Sequence, residues 1–155
     1  EMEFFEKRKF GDDYETLAPP TVKVTSEAST AAALTDDDLS TAWTSSADAD
    51  GVGQGFSIVF DSPTDLDRIR FAPGHAEDTF QSSPRPKEIQ LAITCEGRCD
   101  ATKQITLKDK PGLQSFGLSA TGVTRIDVVV RTVNGTGGGV AFAELQLQRK
   151  RPTVK

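Results

Sequence analysis

Histidine occurs once in the chain, at His75, and so do tryptophan (Trp43), tyrosine (Tyr14) and methionine (Met2). A histidine-based catalytic centre would rest on His75 alone, and no nucleophile stands near it in a recognisable local pattern. Carboxylates are plentiful but scattered, and no pair set across a cleft about 5–10 Å wide, as glycoside cleavage requires, can be read from their spacing. The sequence therefore points away from an enzyme. A basic excess is also missing: 18 Lys and Arg stand against 23 Asp and Glu, a net charge of -5, whereas a nucleic-acid binder carries a basic face. No run of about 18 apolar residues exists, so no segment spans a membrane as a helix. Cysteine is limited to Cys95 and Cys99, too few ligands for a zinc site with only His75 to help.

What is present fits one soluble domain, since 155 residues lie within the usual range of about 100–200 for a single core. Residues 1–20 differ from the rest. Phe4, Phe5 and Phe10 are interleaved with charges, and Pro19 and Pro20 stop any regular element, so this stretch reads as a lead-in. The body spans 21–149, and a basic tail of 150–155 reads as a solvated end. The chain opens on Glu1, and an anchor or export signal is expected outside it. Gly97 lies between the two cysteines and allows a tight turn that brings Cys95 and Cys99 within disulfide reach. Such a bond belongs to an oxidising compartment; the alternative is two unpaired surface thiols.

The apolar period of the body is two. Val22 and Val24, Phe56 to Phe60, Leu66 to Phe71, Ile89 to Ile93, Ile105 and Leu107, Phe116 and Leu118, Ile126 to Val130, and Ala141 to Leu147 give about eight strands, and no helix is expected among them. Their spacing, with Gly, Pro, Asp and Ser between, marks a sandwich or barrel. Three connections are long: Thr44 to Gly55, Pro73 to Pro86, and the glycine-rich Asn134 to Gly139. Long loops on a rigid sandwich are where binding commonly resides. Asn134-Gly135-Thr136 is a glycosylation sequon only in a secreted eukaryotic protein and otherwise a turn.

The densest chemistry lies in Ala33-Leu34-Thr35-Asp36-Asp37-Asp38-Leu39-Ser40-Thr41-Ala42-Trp43. Calcium takes six to eight hard oxygens, and Asp36, Asp38 and Thr41 could converge on one ion as the chain turns. The other reading is an Asp-rich turn that ends in a core tryptophan. This stretch resembles the signature of discoidin domains, the coagulation-factor five/eight type C family: alanine, then Asp, a small turn, and Thr and Trp one residue apart. The same signature occurs in related bacterial carbohydrate-binding modules. Ala141-Phe142-Ala143-Glu144-Leu145-Gln146-Leu147 resembles the family's closing strand, and Gly55 to Phe60 followed by Leu66 to Phe71 fits its middle. The likeness covers Thr21 to Arg149. Phe4-Phe5-Glu6-Lys7-Arg8 through Pro20, Arg85 to Leu91 and Val123 to Val128 look like the extracytoplasmic C-terminal domains of actinobacterial membrane proteins.

The resemblance implies an all-β fold, an eight-stranded antiparallel jelly-roll sandwich of the discoidin, galactose-binding-domain-like kind. It implies an extracellular, cell-surface module within a larger membrane-anchored protein. It implies a structural Ca2+ held by Asp36, Asp38 through its carbonyl, Thr41 and Glu144, tying the first turn to the last strand; Asp37 stands where the family has Gly. The expected function is non-catalytic recognition of carbohydrate or cell-envelope glycan. Candidate contacts are His75, Phe80, Gln81 and Arg85 from one loop and Asp48, Asp50 and Gln54 from another. Phe80 is either a sugar platform or a ring tucked into the sandwich edge, and Trp43 belongs to the core. The alternative is a protein-binding adhesion ectodomain. The loops are small and acidic, which disfavours insertion into lipid.

Overall fold

A computed structural model describes residues 14–17, 21–24, 26, 28–36, 38–46, 51–75, 80, 84–97 and 101–150. Among the described residues eight strands follow one another: β1 (Tyr14–Thr16), β2 (Thr21–Val24), β3 (Trp43–Thr44), β4 (Gly55–Pro73), β5 (Arg85–Cys95), β6 (Ala101–Thr106), β7 (Gln114–Asn134) and β8 (Ala141–Lys150). All pairings are antiparallel. β4 and β7 are long enough to run through both layers. Their halves Gly55–Val59 and Arg125–Val129 pair within a first sheet, flanked by β2 on one side and by β5 and β6 on the other. Their other halves join β8, β1 and β3 in a second sheet.

The bend between the layers is visible in the sequence pattern. Along β4 the inward residues are Phe56 and Ile58, then Ile69 and Phe71, and the parity changes on the way. The β4–β7 register shifts between Val59 and Arg68. Bulges do this: an extra residue flips the alternation and re-aims the strand. On β7 the change of parity falls after Ala120, beside Ser119, whose φ of 52° lies in the left-handed region. Pro63 and Gly122, which look like strand breaks in the sequence, sit within these bulges. Two expected strand pairs are therefore single long strands. β1 and β3 restore the count of eight.

Two further differences stand out. A 3-10 segment over Ala28–Thr35 appears where no helix is expected, and Leu34, fully buried, anchors it. Tyr14–Thr16, within the expected lead-in, pairs with Gln148–Lys150 and so belongs to the second sheet.

Between the sheets lies one continuous apolar core. At its centre Trp43, Phe56, Phe71 and Phe142 interlock. Phe56 meets Phe142 edge to face at 5.2 Å and Trp43 at 5.9 Å, the arrangement that ring quadrupoles favour. Trp43 is fully buried, and its indole Nε1 donates to the Ser26 carbonyl at 2.9 Å, so its one polar group is satisfied. The signature tryptophan is a core residue, as expected. Burying each such ring contributes about 1.5–3 kcal/mol.

Candidate functional site

The three long loops meet at one end of the sandwich. Strand pairing sets this: β4 begins and β7 ends at that end, β8 begins there, and β5 begins beside Asn134. Backbone hydrogen bonds then stitch the loops together. Ser45 N donates to Val140 O at 2.9 Å, Gly74 N to Ala141 O at 2.7 Å, and Ala141 N to Pro84 O at 3.2 Å. Val140 N donates to Ser45 Oγ at 3.0 Å. Gly139 runs so close to the Ser45 carbonyl that a Cβ there would collide with it. Gly74, at φ +71°, lies against Phe80 and Arg85, where a side chain would also collide.

Within this end the expected contact residues take different places. Arg85 is 9% exposed; its Nε and Nη2 donate to the two carboxylate oxygens of Asp109 at 2.9 and 3.1 Å. That bidentate pair raises the Arg85 pKa, the hydrogen bond being the larger cause. The guanidinium carbon lies 5.3 Å from the centre of the Phe80 ring. Phe80 is 6% exposed, so of its two expected placements it takes the tucked one, beneath Arg85. His75 is half-buried, and desolvation lowers its pKa, leaving the imidazole neutral near pH 7. Gln54 is half-buried; its Oε1 accepts from Ser26 Oγ at 2.8 Å and its backbone is tied to Gly51 and Val130. Asp48, Asp50 and Gln81 lie outside the described residues.

Asp109 and Ser26 are residues that sequence reasoning missed. Ser26 joins Gln54 to Ser46, whose N donates to Ser26 Oγ at 2.8 Å. Asp109 sits in Lys108-Asp109-Lys110-Pro111-Gly112, a turn pattern that signals a loop and nothing about its partner across the chain.

The acidic turn places its oxygens together. Thr41 Oγ1 donates to Asp36 Oδ2 at 2.6 Å and lies 3.0 Å from the Asp38 carbonyl. Asp38 Oδ1 faces away, accepting from the Ser40 hydroxyl at 2.6 Å and from Ser40 N at 2.9 Å. Those bonds, the hydroxyl first, lower the Asp38 pKa. Asp38 thus offers its carbonyl, not its carboxylate, on the side of Asp36 and Thr41. Glu144 is 2% exposed on β8. β3 pairs Trp43 with Phe142, and Thr41 and Glu144 each stand two residues beyond that pair. Among the described residues no group of three or more His, Cys, Asp and Glu is clustered as a metal site. The donors that do gather are mixed oxygens, and such a set suits Ca2+.

Cys95, at the end of β5, is 8% exposed and disulfide-bonded. The chain's other cysteine, Cys99, lies outside the described residues. No helix among the described residues is long and apolar enough to cross a membrane.

Two bent ribbons closing an antiparallel jelly roll, with a Thr-Ala-Trp turn packed on the last strand, define the discoidin or F5/8 type C class. The family described as NAD glycohydrolase translocation F5/8 type C domain matches residues 14–139, and the chain belongs to it. Solved structures share the fold. The F5/8 type C domain of a Bacteroides fragilis protein is 15% identical, with a TM-score of 0.69 over 91% of this chain and 99% of that one. The family 32 carbohydrate-binding module of AlyQ, in complex with 4,5-unsaturated mannuronic acid, is 15% identical, with a TM-score of 0.66 over 86% and 97%. The family 32 module of Clostridium perfringens NanJ, in complex with galactose, is 16% identical, with a TM-score of 0.63 over 88% and 99%. No curated protein matches the sequence.

Proposed function

We propose that this domain is a non-catalytic carbohydrate-binding module of the cell exterior, which reads a glycan at the loop end of its sandwich. The observation that carries this reading is the convergence of three loops on one end, held by backbone hydrogen bonds and by the Arg85–Asp109 pair. Sugar recognition needs a few polar groups fixed in place beside apolar surface. This end supplies a neutral imidazole at His75, the half-buried amide of Asn134 opposite Arg85, and Gln54 tethered through Ser26. Arg85 and Phe80 lie beneath as support. The solved structures of similar fold that hold sugars support the same reading. A bond between Cys95, which is disulfide-bonded, and Cys99 would agree with an exterior location.

Calcium has a structural task in this proposal. Asp36, the Asp38 carbonyl, Thr41 and Glu144 would hold it, joining the acidic turn to β8 beside Trp43. The ion would supply cohesion between those elements and no chemistry.

The test is binding of the purified domain to a panel of neutral and acidic oligosaccharides, with calcium and with chelator, alongside a His75→Ala, Asn134→Ala variant. Saturable binding that the double substitution weakens is the expected result. Chelator is expected to lower the thermal midpoint more than the affinity, since a ligand at about 100 times its Kd adds about 2.7 kcal/mol of stability. Failure to bind any glycan overturns the module reading and leaves a protein partner, to be sought by pull-down with the parent protein.

A further inference from the structure

Five of the six arginines of the described residues divide into two groups, and the sixth, Arg131, is exposed further along β7. Arg85, Arg125 and Arg149 each hold a carboxylate, at Asp109, Asp127 and Glu15. Arg68 and Arg70 hold none among the described residues, although they stand two positions apart on the same strand. They alternate with Ile69 and Phe71, which are fully buried, so both project from the outer face of the second sheet and are only half-buried there. Their cross-strand neighbours are neutral. Arg68 pairs with Gln148 and Gly117, and Arg70 with Gln146 and Ser115.

The hydrogen bonds of the two are sparse. Arg68 Nε donates to the Gln148 amide oxygen, and its guanidinium carbon lies 3.8 Å from the centre of the Tyr14 ring. Arg70 Nη1 reaches Gln146 Oε1 at 3.3 Å, while its Nε is buried with no acceptor. Burial, and then the like charge of Arg68, lowers the Arg70 pKa. Two more cations border the face. Lys150 stands opposite Tyr14 on β1, and Lys103 reaches over the β7 edge to the Gly117 carbonyl at 3.0 Å. Glu144, further along β8, is 2% exposed and so withdrawn from the surface. In a chain of net charge -5, this is a local concentration of unneutralised guanidinium.

We propose that the outer face of the β1–β8–β4–β7 sheet is a second binding surface, separate from the loop end, which takes a carboxylate-bearing glycan. A guanidinium is a planar fork that matches a carboxylate with two parallel hydrogen bonds. An anion there would relieve the repulsion between Arg68 and Arg70 and give the fork of Arg70 an acceptor of full charge. Gln146, half-buried beside Arg70, supplies an amide for a sugar hydroxyl, while Gln148, 5% exposed, is engaged with Arg68 and Thr16 and holds the Arg68 guanidinium in place. The face offers none of the bulky apolar tips that a lipid surface would require. This surface stands whether or not the loop end binds neutral sugar.

Tetragalacturonate is the probe, with cellotetraose as its neutral counterpart, titrated calorimetrically into the whole chain at low salt and again at about 1 M, where the Debye length falls to about 3 Å. The acidic tetramer is expected to bind at low salt and to weaken steeply at high salt. Arg68→Gln and Arg70→Gln are each expected to reduce its affinity by at least about tenfold, the scale of a charge-assisted pair. Arg70→Lys, which keeps the charge but not the fork, is expected to recover only part of that loss. Should either glutamine variant fail to fold, the arginine Nε–H resonances of the unaltered chain serve instead: tetragalacturonate should move those of Arg68 and Arg70, and cellotetraose should not. Absent binding, binding untouched by the substitutions, or unmoved resonances overturn the proposal. So does binding of phosphatidylserine vesicles through Arg70 without any binding of the uronate.

Discussion

The body of the sandwich and its loop end are held together by different means. In the body, β4 and β7, 19 and 21 residues long, turn alternate residues inward on each side of their bulges, and aromatic rings fill the space between the sheets. At the loop end, single contacts do the joining: the Ser45–Val140 bonds, a close backbone approach at Gly139 and one bidentate ion pair. Burial is non-directional and tolerates exchange of one apolar residue for another of similar volume. A hydrogen-bonded seam depends on particular atoms. The body should therefore fail through loss of volume, and the loop end through loss of one partner.

Removing Trp43 tests the body and should have the largest effect. Its ring touches Phe56 and Phe142 and its Nε1 is bonded, so Trp43→Ala leaves a large void and an unpaired Ser26 carbonyl. A loss of about 3–5 kcal/mol is expected, read by denaturant unfolding. A loss under about 1 kcal/mol would mean that the core is not organised around this ring.

Asp109→Ala tests the loop end. It strips the carboxylate from Arg85, whose side chain is 10% exposed, while Asp109 itself is 40% exposed. Breaking a fully buried pair costs about 3–5 kcal/mol and an exposed pair costs under about 1; about 1–2 kcal/mol is expected here. The loss should be accompanied by faster hydrogen exchange confined to the loops after β4 and β6, with the strands of the body protected as before. Uniform loss of protection would erase the distinction between the two regions.

Much of this contrast could be read from the sequence, and the rest could not, for physical reasons. Period two marks the strand cores, because alternation is a one-dimensional trace of a face turned inward. The signature around Trp43 marks the core ring and the acidic turn. The bends could not be read in the same way: Pro63 and Gly122 carry turn chemistry whether they end a strand or sit in a bulge. β1 was hidden because three residues, Tyr14–Thr16, are too few to show a period. Phe80 lies on the loop that reaches the candidate end, and Arg85 opens β5 beside it. The carboxylate that holds Arg85 belongs to Asp109, 24 residues away, and no local pattern records that partnership.

Reducing the disulfide acts on the body's far end. Mass spectrometry of the unreduced chain should show Cys95 and Cys99 joined. By the chain-entropy estimate, closing so small a loop contributes about 2 kcal/mol. A reductant should lower the thermal midpoint accordingly without altering hydrogen exchange at the loop end. A chain that migrates as a linked dimer before reduction would instead assign the bond to a second copy.

The smallest effect sharpens the contrast by pH. Burial lowers the His75 pKa beneath the ordinary value of 6.5, so the unfolded chain takes up a proton at a pH where the folded one still refuses it. The stability associated with His75 is therefore complete above 6.5 and declines as the pH falls through the window below that value. Asp38, held below its ordinary 3.8 by the Ser40 hydroxyl and then the Ser40 N–H, loses its contribution in a separate window at lower pH. Unfolding followed across the histidine window should show a shallow fall that His75→Gln removes, with the carboxylate fall left in place. Because the imidazole belongs to the loop end, exchange at Gly74 should quicken in that window before the strands of the body respond. A fall that persists in His75→Gln would assign it to groups outside the loop end.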